Sequence, residues 1–506
     1  MTRPIMPSLP SRLSAAVLAA SLAACAVGPN FKRPPPPKAT DYGSAPMQGD
    51  TASAASTGGG AQRFVAGMDI PSQWWTLFKS PQLDRLVQQA LKANPDVGAA
   101  QASLRQAREL YLAERTSFFP VVQGNFSGTR AKNALGTIAN PTSLPQTNPY
   151  YNLYTAQLNV SYLPDVFGGT RRAVESAKAQ ADSSRFQLEA TYLTLSSNVV
   201  VAAVQEASLR GQIAATLRLL ELQHQLSDKV RRQRLLGTVS ELEVLAQESA
   251  EAQTAQTLPP LQKQLGQTRD ALTALLGRLP SEEPAETFLL DELTLPAELP
   301  VSLPSKLIEQ RPDVRQAEEN LHATSAAVGV ALADMLPQFA ITGSVGSSAL
   351  ELKQLFSPYT GFWDVGASLT QTLFDAGALL HKKRAADAAL DQAAAQYRGA
   401  VILACQNVAD TLRALQADGD ALRASADAER AAKRTFDLAE HQREVGTISL
   451  VAVLNAEQAY QQSELALVQA EANRFSDTAG LFQALGGGWW NRTEESRYER
   501  FSPTGE

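Results

Sequence analysis

The chain has 506 residues, a formal net charge of −6 and a sequence pI near 5.5. No basic stripe runs along it, which argues against a nucleic-acid partner. Its mean hydropathy is −0.17 and no long apolar run follows the first 24 residues, so the sequence predicts no transmembrane helix. Two cysteines in the whole chain exclude a disulfide framework.

Residues 1–24 have the pattern of a signal peptide. Arg3 and Arg12 supply positive charge, and a run of mostly small apolar residues at 13–24 follows them. This run is shorter than the ~20 apolar residues that a membrane-spanning helix needs.

Residues 22–25, Leu-Ala-Ala-Cys, resemble the lipobox of bacterial lipoproteins. The resemblance implies that the signal peptide is removed before Cys25, that the thiol carries a diacylglycerol and that the new amino terminus carries a fatty acid such as palmitate. Ala26, which stands where an aspartate would favour retention at the inner membrane, implies export to the outer membrane. The alternative is an ordinary signal peptide with an incidental cysteine.

Residues 25–72 are predicted to form a lipidated N-terminal tether. The part from 34 to 72 is rich in proline, alanine, serine, threonine and glycine, with consecutive prolines at 34–37 and consecutive glycines at 58–60. This composition favours an extended chain.

The rest of the chain repeats itself at a long period. Asn-Pro-Asp-Val at 94–97 returns 217 positions later as Arg-Pro-Asp-Val, and Leu-Gly-Thr-Val-Ser at 236–240 returns 209 positions later as Val-Gly-Thr-Ile-Ser. A period of about 210 residues is too long for a solenoid unit. The sequence therefore predicts two tandem repeats, at 73–279 and 305–486, separated by a segment at 280–304 and followed by a tail at 487–506.

Each repeat shows the same order of elements. A helix is predicted at 81–117 and again at 305–335, and a proline ends each one. Two strands follow, then a long helix at 170–236 or 378–445, a Gly-Thr turn, and a second long helix that ends near Gly277 or Gly486. A helix of ~67 residues would be roughly 100 Å long, which is typical of coiled coils and helical tubes rather than compact domains.

Four candidate strands alternate between apolar and polar residues. The strand at 154–162 places tyrosine, alanine, leucine and valine on one face and threonine, glutamine, asparagine and serine on the other, and the runs at 122–129, 338–345 and 363–370 alternate similarly. Tilted membrane strands of about ten residues have this pattern, with the apolar face toward lipid. A half-exposed soluble sheet that packs on helices has the same period and is the alternative.

Four strands are too few to close a barrel, which needs about eight or more. In lipid, an open edge leaves backbone groups unsatisfied at a cost of several kcal/mol each. If these strands enter a membrane, several copies must therefore share one barrel. Two chains would give eight strands, and three would give twelve, which is enough for a lumen.

An ordered set of motifs connects the chain to a known family. The set includes residues 25–31 (Cys-Ala-Val-Gly-Pro-Asn-Phe), 74–78 (Trp-Trp-Thr-Leu-Phe), 165–168 (Asp-Val-Phe-Gly) and 373–377 (Leu-Phe-Asp-Ala-Gly). Through these motifs, nearly the whole mature chain resembles the TolC-type outer membrane factors, in the NodT-like efflux lipoprotein branch. The resemblance implies a mixed α+β fold, mostly α, in which three copies share a twelve-stranded transmembrane β-barrel, four strands per chain, and a long-helix periplasmic α-barrel.

The resemblance also implies a function and partners. The chain would be a homotrimeric, lipid-anchored channel of the outer membrane that receives small molecules from an RND-type inner membrane pump through a periplasmic membrane fusion adaptor. Residues 71–80, residues 280–304 and the C-terminal tail would form an equatorial girdle around the middle of the tunnel. An exit duct for protein secretion and a non-conducting envelope coiled-coil lipoprotein are the alternatives.

The two Gly-Thr turns are predicted to be hairpin tips. Glycine permits the backbone reversal that ends one helix, and a serine caps the next. The resemblance implies that the tips dock the adaptor. Their residues are Leu236, Gly237, Thr238, Val239 and Ser240 in the first tip and Val445, Gly446, Thr447, Ile448 and Ser449 in the second.

A constriction is expected next to the second tip. In many members of the resembled family, acidic residues at this place narrow the tunnel and favour cations. The matching positions in this chain are Ala452 and Asn455, whereas the first repeat has Glu243 and Ala246. We therefore expect a periplasmic constriction near Asn455 with little charge selectivity.

No sequence pattern for bond chemistry occurs. The four histidines, at 224, 322, 381 and 441, stand singly without metal-ligand spacing, and no Walker A, GxSxG, CxxC or GxGxxG pattern is present. The sequence predicts no enzyme activity, no cofactor and no metal site.

Overall fold

The structure, a computed structural model, describes residues 26–43, 49–132 and 150–492. The predicted signal peptide, Cys25 and the end of the C-terminal tail lie outside the described residues. The helices are α1 (Pro81–Ala93), α2 (Pro95–Arg115), α3 (Gly169–Leu235), α4 (Glu241–Leu275), α5 (Pro304–Gln310), α6 (Pro312–Ala333), α7 (Ala378–Glu444) and α8 (Leu450–Ala484). The strands are β1 (Arg63–Ala66), β2 (Val121–Lys132), β3 (Tyr150–Tyr162), β4 (Glu298–Val301), β5 (Gln338–Ala349) and β6 (Gly361–Thr370).

The two repeats match element by element. Helices α3 and α7 each contain 67 residues, and the helices that follow them, α4 and α8, each contain 35. The long helices and the four predicted strands are confirmed, with boundaries close to the predicted ones. Across the described ranges, no helix has both the length and the apolar character that crossing a membrane requires.

The first helix of each repeat is broken, and this differs from the prediction of single helices at 81–117 and 305–335. The breaks lie at Asn94 and Arg311, whose backbones are extended with ψ angles of 130° and 119°. Both residues precede a proline, and the proline ring disfavours helical backbone at the residue before it. The predicted helices were therefore wrong at these positions.

The two breaks serve the same packing purpose. The side-chain amide of Asn94 donates to the Leu275 carbonyl at 3.0 Å, and the Arg311 guanidinium donates to the Ala484 carbonyl at 3.1 Å. Each side chain therefore satisfies a free carbonyl at the end of the second long helix of its repeat. A Cβ atom at Gly277 would lie 2.4 Å from the Ala93 carbonyl oxygen, so this helix end needs glycine for close approach.

The chain forms two compact units. The sheet unit contains Arg105–Asp182 and Glu318–Ala395 together with the described residues up to Arg33. The helical unit contains Pro34–Leu104, Ser183–Ala317 and the described residues from Gln396 onward.

The sheet unit holds a four-stranded antiparallel sheet in the order β2-β3-β5-β6. Its register aligns the predicted faces across all four strands. Gly124, Leu158, Val345 and Trp363 form one cross-strand row, and Gln123, Asn159, Ser344 and Asp364 form the adjacent row on the other face. Trp363 is 76% exposed in the single chain, so the apolar face of the sheet is uncovered there.

The helical unit buries the segment that was predicted to join an equatorial girdle. The Trp74 ring stacks on Phe482 of α8 with 5.3 Å between ring centroids, and Phe78 is fully buried near Phe475 of the same helix. Strand β1 pairs in parallel with β4 and forms a separate two-stranded sheet.

The N-terminal arm, residues 49–66, departs from the predicted tether because it is fixed to α8. Arg474, which is fully buried, donates to Thr51 Oγ1 at 2.8 Å, to the Gly60 carbonyl at 2.7 Å and to Gln62 Oε1 at 3.2 Å. Gly58 has a φ of +64° and lies too close to Phe475 for a side chain. The glycine-rich part of the arm therefore forms a tight turn against α8 rather than a free linker.

We expect Arg474→Met to release the arm. The change removes three buried charge-assisted hydrogen bonds, to Thr51, Gly60 and Gln62, at a cost of roughly 2–3 kcal/mol. Release of the arm should make elastase cleave faster within residues 51–62 and should lower the midpoint of thermal unfolding. Arg63→Met, on the exposed face of the same arm, is the matched control and should change neither. An arm that stays protected in Arg474→Met would contradict the assignment.

Candidate functional site

The two predicted tips have the same backbone geometry. Gly237 and Gly446 have φ angles of +74° and +76°, a region in which other residues are strained. In the first tip, Thr238 N and Thr238 Oγ1 both donate to the Gln233 carbonyl, at 3.0 and 2.9 Å. In the second, Thr447 makes the same two bonds to the Gln442 carbonyl, both at 2.9 Å. The Gly-Thr pair therefore closes the end of the long helix in both repeats.

Serine caps begin the returning helices, but the two caps differ. Ser240 Oγ accepts the Glu243 amide at 3.3 Å, and the Glu243 carboxylate accepts the Ser240 amide at 2.9 Å. This is a complete capping box. Ser449 Oγ accepts the Ala452 amide at 3.3 Å, and Ala452 has no carboxylate to return the bond.

Polar contacts join the two tips. Arg443 Nη2 lies 2.9 Å from Glu243 Oε1, and Lys229 Nζ lies 2.9 Å from Glu444 Oε1. The Ser240 amide lowers the pKa of Glu243, and Arg443 lowers it further. Lys229 lowers the pKa of Glu444. The Lys229–Glu444 pair is exposed and the Arg443–Glu243 pair is partly exposed, so water and salt screen both and they hold the tips only weakly.

Apolar packing joins the tips beneath these pairs. Val230 of α3, Val244 of α4 and Leu450 of α8 form one buried cluster. A second cluster joins Phe436 of α7 to Val453 of α8. The first cluster joins the two hairpins through a thin apolar layer close to their turns, and the second lies within the α7–α8 hairpin.

The outer surface of the tips is apolar and uncovered. Leu235 is 88% exposed, Leu236 is 78% exposed and Val445 is 62% exposed. Contiguous exposed apolar side chains on a folded surface are typical of protein-binding sites. The turn geometry leaves these side chains free to contact another protein.

The predicted constriction residues lie on the exposed face of the first turns of α8. Ala452 and Asn455 are both exposed, whereas Val453 and Ala456, next to them in sequence, are buried against Phe436 and Ala439. Because Val453 and Ala456 pack against α7, Ala452 and Asn455 face away from that contact. The structure thus brings the tips and these two positions to the same end of the hairpins.

The segment after Cys25 is held firmly in the sheet unit. Val27 N donates to the Phe167 carbonyl at 3.0 Å, and Arg172, which is buried, donates to the Val27 carbonyl at 3.2 Å and to Asn30 Oδ1 at 2.6 Å. Phe167 lies between the end of β3 and the start of α3. The chain leaves this junction toward Cys25, which itself lies outside the described residues.

Two of the four histidines, His322 and His224, have structural contacts. His322 Nε2 lies 2.9 Å from Glu175 Oε1, and its ring stacks on Phe31 at 4.3 Å. His224 Nδ1 lies 3.2 Å from Glu251. No group of three or more metal-ligating side chains comes together in the part of the chain that the structure describes.

Sequence reasoning missed several residues at these sites. The Ser-x-x-Glu pattern at 240–243 signals a capping box by itself. The Arg443–Glu243 pair has no such signal, because its partners are 200 positions apart. The contacts of Arg172 with Val27 and Asn30 have none either, since these partners lie 142 or more residues away.

Comparisons with known proteins show which family the chain resembles. A family model described as outer membrane efflux protein matches residues 86–278 and 303–487. The pyoverdine export outer membrane protein OpmQ of Pseudomonas putida is 30% identical over 486 residues, which cover 95% of this chain and 98% of that protein. The toluene efflux pump outer membrane protein TtgC of Pseudomonas putida is 28% identical over 492 residues, which cover 97% and 98%.

Solved structures have the same fold. The outer-membrane channel OprN matches with a TM-score of 0.80 at 28% identity, over 92% of this chain and 100% of that one. The CmeC outer membrane channel of Campylobacter jejuni matches with a TM-score of 0.82 at 22% identity, over 94% and 98%. At the latter identity the likeness shows the fold alone.

The unequal caps generate a prediction. Ser240→Ala breaks the capping box and should cost about 1 kcal/mol locally, so hydrogen exchange at residues 241–245 should accelerate about fivefold. Ser449→Ala removes a single cap bond and should accelerate residues 450–454 less. The pKa of Glu243 is lowered in the fold. The carboxylate of Glu243 therefore stabilises the cap above pH 4.5, its ordinary pKa, and this stabilisation is lost as the pH falls below that value. Equal effects at both tips, measured by mass spectrometry, would contradict this.

Proposed function

The chain belongs to the outer membrane efflux protein family and is an outer membrane efflux channel, and from this premise we propose that three copies form the pore and that the hairpin tips receive a periplasmic adaptor. The proposed trimer rests on the observation that the four-stranded sheet, in the part of the chain that the structure describes, has two unpaired edges. Among the described residues, β2 and β6 each pair on one side only. An edge of that kind in lipid costs several kcal/mol for each unsatisfied backbone group.

Head-to-tail pairing of β6 from one copy with β2 of the next closes the sheet. With four strands per chain, three copies supply twelve, which encloses a lumen, whereas eight strands leave an interior filled by side chains. The cross-strand rows fit this wall, with Leu158, Val345 and Trp363 toward lipid and Asn159, Ser344 and Asp364 toward water.

The tips are the proposed adaptor site. Their exposed Leu236 and Val445 side chains offer apolar area, and Gly237 and Gly446 leave the turns narrow enough for a partner helix to pack closely. An RND-type inner membrane pump would deliver the substrate through this adaptor. The ion pairs that join the tips are weak enough for a bound adaptor to rearrange them.

Small molecules are the proposed substrates. The relatives are named for pyoverdine export and for toluene efflux, and both are small compounds. These names favour small-molecule efflux over the protein-secreting duct. A non-conducting coiled-coil lipoprotein does not account for a sheet whose uncovered apolar face and free edges call for lipid and for neighbouring copies.

Cys25 is the proposed lipid anchor. The segment after it is bound beside Phe167, where a strand passes into a long helix. An acyl chain on Cys25 would therefore start at the level where the membrane wall ends, and the anchor would orient each copy before the barrel closes.

The tip assignment can be tested by complementation. A strain that lacks its own outer membrane channel and expresses a periplasmic adaptor and an RND-type pump should regain dye efflux with the wild-type chain. Leu236→Glu combined with Val445→Glu should abolish efflux, because the apolar docking surface becomes charged. The double change to methionine is the control and should retain efflux. Trimer abundance in the outer membrane must be equal for all three proteins, and full efflux by the glutamate variant would overturn the assignment.

The constriction can be tested in planar bilayers. We propose that Ala452 and Asn455 narrow the pore without charge, so the wild type should show little preference between cations and anions. Ala452→Glu places one carboxylate per copy there and should raise the cation-to-anion permeability ratio on the order of fivefold. Strong cation preference in the wild type that Asn455→Ala leaves unchanged would place the selective element elsewhere.

A further inference from the structure

The contact between the two hairpins becomes polar just above the tips. On α8, Leu450, Leu454 and Glu457 follow the spacing of one helix stripe. The first layer of this stripe is the apolar cluster with Val230 and Val244. The next layers replace apolar residues by polar ones, namely Ser227 and Gln223 on α3, Gln247 on α4 and Glu457 on α8, all of them buried.

This buried polar layer has too many acceptors. Gln247 Nε2 donates to the Gln223 backbone carbonyl at 3.3 Å, and the Gln223 side chain bonds to the Glu457 carboxylate. Gln223 Oε1, Gln247 Oε1 and Glu457 Oε2 are then left buried without a hydrogen-bond partner. An ionised carboxylate only accepts hydrogen bonds, whereas a protonated one also donates. One proton on Glu457 therefore converts one of the unmatched acceptors into a donor.

We propose that Glu457, Gln223 and Gln247 form a proton-operated latch that holds α8 against the α3–α4 hairpin. With the proton bound, the layer is neutral and the hairpins stay packed. When Glu457 loses the proton, a buried charge is added to a layer that already holds two unmatched amide oxygens, and separation of α8 lets water solvate it.

The surroundings of Glu457 favour the protonated form. Burial raises its pKa to about 7, the Gln223 amide opposes this rise, and Glu440 of α7 adds to it by repulsion. On α4, Glu251 accepts a 2.6 Å hydrogen bond from Ser227 of α3 and also contacts His224 of α3. Ser227 and then His224 lower the pKa of Glu251, so Glu251 stays ionised and adds no proton to the layer.

The direction of the pH effect follows from linkage. Packed Glu457 titrates near 7, and the same side chain in water titrates near its ordinary 4.5. Below 4.5 both states carry the proton, and the latch is at full strength. Between 4.5 and about 7 only the packed state carries it, so separation becomes about tenfold more favourable with each pH unit. Above about 7 the dependence ends.

The latch bears on the proposed channel because of its position. Glu457 lies two residues beyond Asn455 on the same helix. A movement of α8 that exposes Glu457 to water therefore also displaces Asn455 at the proposed constriction. This consequence rests on the proposed function. In planar bilayers at fixed voltage, open probability should then rise as pH rises toward 7, and it should not do so in Glu457→Gln.

Hydrogen exchange tests the latch without requiring conduction. The purified full-length protein in nanodiscs is compared with its Glu457→Gln variant at the same pH, because intrinsic exchange rates then cancel. The wild-type to variant rate ratio at residues 452–460 should rise about tenfold per pH unit between pH 5 and pH 7. A ratio that does not change with pH overturns the proposal.

Two further variants keep the test specific. Gln223→Leu removes the amide that opposes the raised pKa of Glu457, so the transition should move to higher pH; an unmoved transition contradicts the assigned geometry. Glu471→Gln changes another buried carboxyl group of α8, one that binds the arm through the Thr57 amide at 3.0 Å, and the wild-type transition should persist in it. If hydrogen exchange shows the pH transition but the assembled protein does not conduct ions, the proposed function fails and the latch stands.

Discussion

The unpaired backbone at the two edges of one small sheet is the constraint on which the rest of the molecule depends. Strands β2 and β6 each lack a neighbour on one side among the described residues, while the sheet between them presents an uncovered apolar face. Water could satisfy the edges but not the face, and lipid could cover the face but not the edges. Pairing with further copies satisfies the edges and so allows lipid to cover the face, and an assembled wall follows from that pairing rather than from any feature of a single chain.

Duplication then explains how one chain supplies this wall and a set of long helices. Both repeats have long helices of the same two lengths, the same Gly-Thr closure and the same break before a proline. Differences between the two repeats are informative because the repeats otherwise match so closely. Glu243 completes a cap and binds Arg443, whereas the equivalent Ala452 does neither. The second hairpin is therefore less firmly held at its tip than the first, and Glu457 places a titratable group in the contact between them.

Local rules predicted most of the elements. The alternation along 154–162 and the helical spacing of 170–236 are decided within a few residues, so the sequence was sufficient for the four strands and the long helices. The breaks at Asn94 and Arg311 were also locally visible, because a proline follows each residue and disfavours helical backbone there. The arm was misread because a composition rich in glycine and serine serves equally for a linker and for a tight turn.

The contacts that give the tips and the latch their properties could not be predicted in this way. Arg474 binds residues more than 400 positions earlier, and Glu457 bonds to Gln223 on a different helix, far away in sequence. Nothing in the residues near Arg474 or Glu457 indicates whether the side chain is buried or what it meets. Such contacts depend on how the helices pack, and the repeat predicts which helices exist but not which side chains they bury together.

The number of copies in the assembled protein tests the central claim most directly. Native mass spectrometry of the full-length protein, extracted from the outer membrane in a mild detergent, should give a single species of three chains that resists dissociation until it is heated. A protein that remains monomeric under these conditions would contradict the account, because four strands with two open edges would then be stable on their own.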